Sequence, residues 1–174
     1  MKYFIFIFIL PIILLSQFSP GKLSKYHHFL EGNSNCIECH EIGNREISNG
    51  CNECHYPLKL RIDENLGFHK DKKEDCSICH SDHNGEEFEL VYWPKDIKKF
   101  DHNETGYTLT GNHSKLECKN CHTSKFIREN SIIDWAKKYN KFDVLNRTFL
   151  GLSTNCNSCH ENIHEKKISN ECSS

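Results

Sequence analysis

The sequence predicts a mainly irregular chain with short α-helices and little or no β-sheet. Only 37% of its 174 residues are hydrophobic, and 26% are charged. After an apolar N-terminal segment, apolar residues neither recur with the period of a long helix nor alternate over a length that would form a sheet. The third observation is the five copies of Cys-x-x-Cys-His, which use ten of the eleven cysteines.

The N-terminal segment is typical of an export signal. A lysine at the second position is followed by an apolar run from Phe4 to Leu15 that only Pro11 interrupts. A positive start and a short apolar segment indicate a secretory signal peptide, and the run is shorter than the roughly 20 apolar residues of a membrane-spanning helix. We expect residues 1–21 to be a signal peptide cleaved after Gly21, with an uncleaved N-terminal anchor as the alternative.

The five motifs lie in residues 22–174, and we number them in chain order. They are motif 1 (Cys36, Cys39, His40), motif 2 (Cys51, Cys54, His55), motif 3 (Cys76, Cys79, His80), motif 4 (Cys118, Cys121, His122) and motif 5 (Cys156, Cys159, His160). Two cysteines three apart lie on one face of a helical turn, so both sulfurs can form thioethers with one porphyrin, and the next histidine can bind its iron. The repeats therefore predict five covalent c-type haems. Zinc ribbons need no histidine after each cysteine pair, so the constant histidine favours haem over zinc.

Haem attachment and export support each other, because c-type haem is attached outside the cytoplasm in bacteria. We therefore expect a periplasmic protein whose cysteines form thioethers rather than the disulfides usual in exported chains. Residues 22–174 are rich in Asn, Lys, Glu and Ser and bury too little apolar surface to offset the entropy of folding. We expect the porphyrins to form the core of one multihaem domain, and the haem-free chain to be disordered.

Histidines outside the motifs are numerous enough to supply a second ligand to every iron. Seven of the twelve histidines lie outside the motifs, and the only methionine is Met1, in the expected signal. His/Met ligation, which raises haem potential, is therefore excluded for the mature chain. Bis-histidine iron has no open position, which favours electron transfer over catalysis. The candidate distal ligands are His27, His69, His83, His102, His113 and His164.

Two further expectations concern the choice among these histidines. Of the neighbours His27 and His28, we expect His27 to be the ligand and the other to pack. His83 and His164 follow a motif histidine by three and four residues. A residue that close cannot usually fold back onto its own iron, so we expect these two to serve neighbouring haems.

The longest stretch without a motif, residues 123–155, contains the best helix candidate. Ser131 can cap this helix and Asp134 favours its first turn. The apolar side chains that can share one face are Ile132, Ile133, Ala136 and Tyr139. We expect a covering helix without a redox role.

The segments between the motifs carry a family resemblance. They read Phe-Ser-Pro-Gly-Lys-Leu-Ser at 18–24, Leu-Glu-Gly at 30–32, Phe-Asp-His with Thr-Gly-Tyr at 100–107, Gly-x-His ending at 113, Leu-x-Cys ending at 118 and Phe-Leu-Gly-Leu at 149–152. With the motifs, the chain resembles multihaem cytochromes c of the class III type, and more closely their larger bacterial relatives that have this Phe-Ser-Pro-Gly-Lys-Leu-Ser start. The resemblance spans essentially the whole chain. It implies electron transfer through stacked periplasmic haems, with distal histidines supplied by loops.

An internal repeat predicts a sixth motif. Ile-Ser-Asn-Gly-Cys at 47–51, where the cysteine opens motif 2, recurs as Ile-Ser-Asn-Glu-Cys at 168–172. We expect Cys172 to open a sixth motif that this sequence does not complete, with a sixth haem in a longer protein. The alternative is an incidental free thiol or one that forms an intermolecular disulfide.

These observations predict a periplasmic electron carrier. We expect redox proteins as partners, such as a membrane quinol-oxidising complex and a terminal reductase, and membrane contact only through an uncleaved N-terminus. The alternative is a haem subunit of a nitrite- or hydroxylamine-converting oxidoreductase. Such enzymes need an exchangeable iron site, often marked by Lys in place of the motif histidine, whereas all five motifs here end in His. With 22 basic and 24 acidic residues and no basic stripe, we expect no nucleic-acid partner.

Overall fold

The computed structural model describes residues 21–72, 74–93 and 96–161. These residues form short helices joined by irregular segments, and within these ranges β-pairing is limited to one isolated antiparallel bridge, between Ile127 and Leu152. The expectation of short helices with little or no sheet is confirmed for this part of the chain. The expected signal peptide, His164 and Cys172 lie outside the described residues.

The helices are short because few segments have a continuous apolar face. The α-helices of the described residues are α1 (Ser48–Cys54), α2 (Tyr56–Asp63), α3 (Cys118–Cys121) and α4 (Asn130–Lys138). Short 3₁₀-helices make up the rest: His28–Leu30, Asn33–Glu38, Cys76–Ile78, Ile97–Lys99, His102–Thr105, His113–Lys115, Ser124–Phe126, Phe142–Asn146 and Cys156–Ser158. Among the described residues, no helix is long and apolar enough to cross a membrane.

Short polar side chains start several of these turns. The Asp75 carboxylate accepts a hydrogen bond from the Ser77 N–H, and the Asn155 side chain accepts one from the Asn157 N–H. Each thereby caps the turn that opens a Cys-x-x-Cys-His motif, which is the usual role of Asp and Asn at a helix N-terminus. The local sequence thus fixes where motifs 3 and 5 begin.

The chain divides into two compact units. The described residues of unit 1 are 21–56, 72 and 74–93, which contain motifs 1, 2 and 3. Those of unit 2 are 57–71 and 96–161, which contain motifs 4 and 5.

Helix α4 in unit 2 confirms the predicted helix but not its predicted cap. Ile132 and Ala136, one turn apart, are its buried residues, as the pattern indicated. The N-cap is Glu129 rather than Ser131, whose hydroxyl instead donates to the Glu129 carboxylate. The helix starts earlier because the Glu129 N–H is already held by the Gly151 carbonyl, which fixes the chain just before the first turn.

The polypeptide buries few of its own apolar side chains. Among the described residues, the buried hydrophobic side chains are Ile127, Ile132 and Ala136. Large apolar side chains are exposed elsewhere, including Phe29 at 69% and Ile42 at 97%. Because burial of apolar surface is the main driving force of folding, the described side chains alone provide little stabilisation.

Candidate haem-binding sites

All five Cys-x-x-Cys-His motifs close the same helical turn. In each motif the backbone N–H of the histidine donates to the carbonyl of the first cysteine, at N···O distances of 2.8, 2.8, 2.9, 2.9 and 2.9 Å in motifs 1 to 5. Such an i to i+4 bond places residues i and i+3 on one face. The two thiols of each motif therefore share a face that the histidine follows directly.

Thiols of different motifs lie close to each other inside unit 1. Burial, together with the neighbouring thiols of Cys76 and Cys39, raises the pKa of the Cys51 thiol to about 11, and Cys76 is in hydrogen-bonding contact with it. Burial also raises the pKa of Cys39, with a contribution from Cys54. Motifs 1, 2 and 3 are therefore neighbours. In unit 2, burial and then Cys159 raise the pKa of Cys121, which indicates that motifs 4 and 5 are neighbours too.

Backbone contacts hold motif 2 against motifs 1 and 3. The Ser48 hydroxyl of α1 accepts from the Cys76 N–H at 2.9 Å, and the Asp75 carboxylate accepts from the Ile47 N–H at 2.8 Å. A Cβ atom placed on Gly50 would lie 2.8 Å from the Cα atom of Cys39. The helix of motif 2 therefore packs directly on the backbone of motif 1.

The histidines of four motifs each lie beside a histidine from outside the motifs. In unit 1 the ring centres are 6.1 Å apart for His55 and His27 and 6.2 Å apart for His40 and His83. In unit 2 they are 6.3 Å apart for His122 and His102 and 5.9 Å apart for His160 and His113.

This separation is the one that two imidazoles on opposite sides of a metal ion require. A metal–imidazole nitrogen bond is about 2 Å long and the ring centre lies about 1 Å behind the nitrogen, so the ring centres lie about 6 Å apart. Rotation about the nitrogen–metal axis changes the angle between the rings and leaves this distance unchanged. The observed angles of 29°, 31°, 66° and 76° are all compatible with such an arrangement.

Hydrogen bonds at Nδ1 orient three of the histidines. Nδ1 of His27 lies 2.7 Å from the Asp82 carboxylate. Nδ1 of His80 lies 2.7 Å from the Leu90 carbonyl, and Nδ1 of His83 lies 3.0 Å from the Gly21 carbonyl. These oxygens only accept, so Nδ1 carries the proton in each ring, and in the neutral imidazole Nε2 then keeps its lone pair for a metal ion.

The surroundings of two motif histidines lower their pKa. For His55 the causes are desolvation of the ring and then the neighbouring His27 and His80 rings. For His122 the causes are desolvation, then His102 and Lys119. A lowered pKa favours the neutral imidazole, which is the form that binds metal ions.

Aromatic side chains surround the histidine pair of motif 4. The ring of Phe100 lies edge-on to His102, with centres 5.4 Å apart, and the ring of Phe149 lies edge-on to His122 at 5.0 Å. Phe68 contacts both Phe100, at 5.5 Å, and His69, at 5.3 Å. Rings in these positions restrict the orientation of the imidazoles.

The structure places the candidate histidines as follows. His27, His83, His102 and His113 each lie beside a motif histidine, and His83 lies beside motif 1 although it follows motif 3 in sequence. His69 contacts Phe68, and the side chain of His28 is exposed.

Sequence reasoning missed Asp82, Gly50 and the two flanking rings, Phe100 and Phe149. A signal existed for the rings, since both lie in segments that carry the family resemblance. Asp82 lies in the segment Cys-His-Ser-Asp-His at 79–83, and no feature of this segment indicates a role for the aspartate.

No group of three or more His, Cys, Asp or Glu side chains converges as a metal site within residues 21–72, 74–93 and 96–161. A haem iron takes four ligands from its porphyrin and two from the protein, so a candidate haem site requires a pair of histidines rather than a larger cluster.

Comparisons with protein-family models, with curated proteins and with solved structures found no match for this chain.

Proposed function

We propose that this chain is an electron-transfer protein that holds five covalently attached c-type haems. Each motif would provide two thioether sulfurs and the proximal histidine. The proposed axial pairs are His40 with His83, His55 with His27, His122 with His102, and His160 with His113; His80 is the proximal ligand of the motif 3 haem. His69 and His164 remain candidate distal ligands.

The observation that carries the proposal is the pairing of motif histidines with histidines from outside the motifs. Four separate pairs have ring centres 5.9–6.3 Å apart. Histidines that merely fill a core have no reason to meet in this combination. One iron between each pair accounts for the common distance and for the constant presence of a motif histidine.

A further observation fits a bound porphyrin. Apolar side chains inside the motifs are exposed, with Ile37 of motif 1 at 67% and Ile78 of motif 3 at 70%. A large apolar group beside these motifs would cover them.

The residues of the chain have simple roles in this function. When bound, each haem supplies an iron that gains and loses one electron. The two histidines of each proposed pair would hold the iron between them, which would leave no open position for a substrate. The proximity of motifs 1 to 3 in unit 1, and of motifs 4 and 5 in unit 2, brings neighbouring haems together within each unit. The proposal extends to the periplasm as location and to redox proteins as partners.

The proposal is tested on protein matured in a host that attaches c-type haem. Intact mass should increase by five haems that resist acid–acetone extraction. Optical and paramagnetic resonance spectra should show only six-coordinate low-spin iron. His113→Ala should convert one haem in five to a high-spin form that binds carbon monoxide when reduced, whereas the matched control His28→Ala should leave all five low-spin.

Three results would count against the proposal. Extractable haem, or bound zinc in its place, would refute covalent haem attachment. A high-spin fraction in the native protein would favour the oxidoreductase alternative. An effect of His28→Ala equal to that of His113→Ala would refute the ligand pairs.

A further inference from the structure

The Asp82 carboxylate lies at the centre of a hydrogen-bond network in unit 1. Its Oδ1 accepts from the Ser24 N–H at 2.7 Å and from the His83 N–H at 2.8 Å. Its Oδ2 accepts from the Ser24 hydroxyl at 3.2 Å and lies 2.7 Å from Nδ1 of His27. The Asp82 side chain is only 15% exposed and Ser24 is fully buried, so water competes little for these bonds.

This network contacts the distal ligands proposed for two haems in different ways. For His27, opposite His55 of motif 2, the carboxylate touches the imidazole ring itself. For His83, opposite His40 of motif 1, it touches only the backbone N–H, and the ring donates instead to the Gly21 carbonyl at 3.0 Å. His83 has a positive φ of 64°, a conformation unusual for residues other than glycine, and the bond from its N–H to Asp82 helps to hold it.

A carboxylate and a carbonyl affect a ligating imidazole differently. A full negative charge on Nδ1–H draws the proton away and makes Nε2 a stronger electron donor, and outer partners of this kind tune bound metals. A stronger donor stabilises ferric iron more than ferrous iron. Hydrogen bonding around axial ligands is one of the means by which proteins set haem potentials.

We propose that Asp82 is a positioning residue that lowers the reduction potential of the motif 2 haem below that of the motif 1 haem. This inference rests on the proposed function and adds an order of potentials to it. Within unit 1, an electron would then rest preferentially on motif 1 rather than on motif 2. The carboxylate would also keep the His27 ring in the orientation that presents Nε2 to the iron.

Asp82→Asn is the most direct test because it is nearly isosteric. The amide oxygen can still accept from the Ser24 and His83 N–H groups, whereas the amide nitrogen cannot accept from His27. Two controls isolate the ring contact. Ser24→Ala removes the serine hydroxyl but leaves the carboxylate on His27. Asp101→Asn removes a carboxylate that also directly precedes a proposed distal ligand, His102, but that accepts from the Asn103 N–H.

The measurements are haem content by mass, individual haem potentials by redox titration, and paramagnetic resonance spectra of the oxidised protein. In Asp82→Asn, we expect the ferric preference of one haem to fall about tenfold, which is the lower end of the range over which outer-ligand substitutions change metal affinity or activity. For a one-electron couple, a tenfold change corresponds to a rise of about 59 mV in the reduction potential of that haem. The spectrum of the same haem should change and stay low-spin, while neither control variant should produce this shift.

The possible failures are distinguishable. Wild-type protein without covalent haem would refute the proposed function. Five low-spin haems whose potentials do not move in Asp82→Asn, or move equally in Asp101→Asn, would refute only the role of Asp82. If Asp82→Asn does not retain five haems, the inference is tested on the potentials of the wild-type protein. The motif 2 and motif 1 potentials are then identified as the ones that change in His27→Met and in His83→Met. A motif 2 haem at or above the potential of the motif 1 haem would overturn the inference.

Discussion

Gly50 lies where helix α1 meets the backbone of motif 1, and its replacement by alanine would disturb that contact. A Cβ atom at this position would lie 2.7 Å from the Glu38 carbonyl oxygen and 2.8 Å from both Cα and the carbonyl oxygen of Cys39. All three atoms belong to the backbone, so no flexible side chain can move aside. Ordinary contact would require the two motifs to separate by roughly 0.7 Å, taking about 3.5 Å as the optimal carbon contact.

The sign of the effect follows from two opposing contributions. In an unobstructed helix, alanine is more favourable than glycine by about 1 kcal/mol. Overpacking a close contact typically costs about 1–3 kcal/mol, and three backbone contacts belong at the upper end of that range. We therefore expect Gly50→Ala to destabilise the haem-loaded protein by about 2 kcal/mol.

The assay is guanidinium unfolding of the haem-loaded variant, followed by the optical bands of the haems and by circular dichroism. Redox titration should in addition show a weaker interaction between the haems of motifs 1 and 2. Gly43→Ala is the matched control. Its added Cβ would meet no atom within 4 Å, but its φ is +85°, so it should lose roughly 1–2 kcal/mol from backbone strain alone and leave the haem interaction unchanged. A Gly50→Ala protein as stable as the wild type, or more stable, would refute the contact between the two motifs.

Two further predictions concern the origin of stability. Chain expressed without haem attachment should lack a near-ultraviolet dichroism signal and show a largely irregular far-ultraviolet spectrum, because the described residues bury so few apolar side chains; a cooperative unfolding transition in haem-free protein would contradict this. In the haem-loaded protein, Ile132→Ala should reduce the free energy of unfolding by about 2–4 kcal/mol, since this side chain is only 5% exposed. The half-buried neighbour Ile133 provides the control, and an equal loss in Ile133→Ala would show that burial in α4 is not what stabilises unit 2.

Local features of this fold could be predicted from the sequence and long-range features could not. Each Cys-x-x-Cys-His turn is encoded within five residues, and helix α4 follows from the spacing of Ile132 and Ala136. The cap at Glu129 was missed because it depends on Gly151, more than 20 residues away in sequence. The position of His83 beside motif 1 is equally non-local. Its spacing from His80 argues against binding the iron of motif 3, but the sequence does not indicate which other motif it contacts.

The proposed ligand pairs also explain how so polar a chain can fold. In three of the four proposed pairs the iron would join segments far apart in sequence: His27 and His55 are 28 positions apart, His40 and His83 are 43 apart, and His113 and His160 are 47 apart. A cross-link that closes a loop of this length removes about 3.5–4 kcal/mol of chain entropy from the unfolded state, by the relation used for disulfides. Coordination bonds are reversible, so these values are upper limits. Even so, cross-links of this strength are comparable to the whole stability of an ordinary domain, about 5–15 kcal/mol. Haem attachment would therefore compensate for the small number of apolar side chains that the described residues bury, and ligand pairs from remote segments would contribute most to this effect.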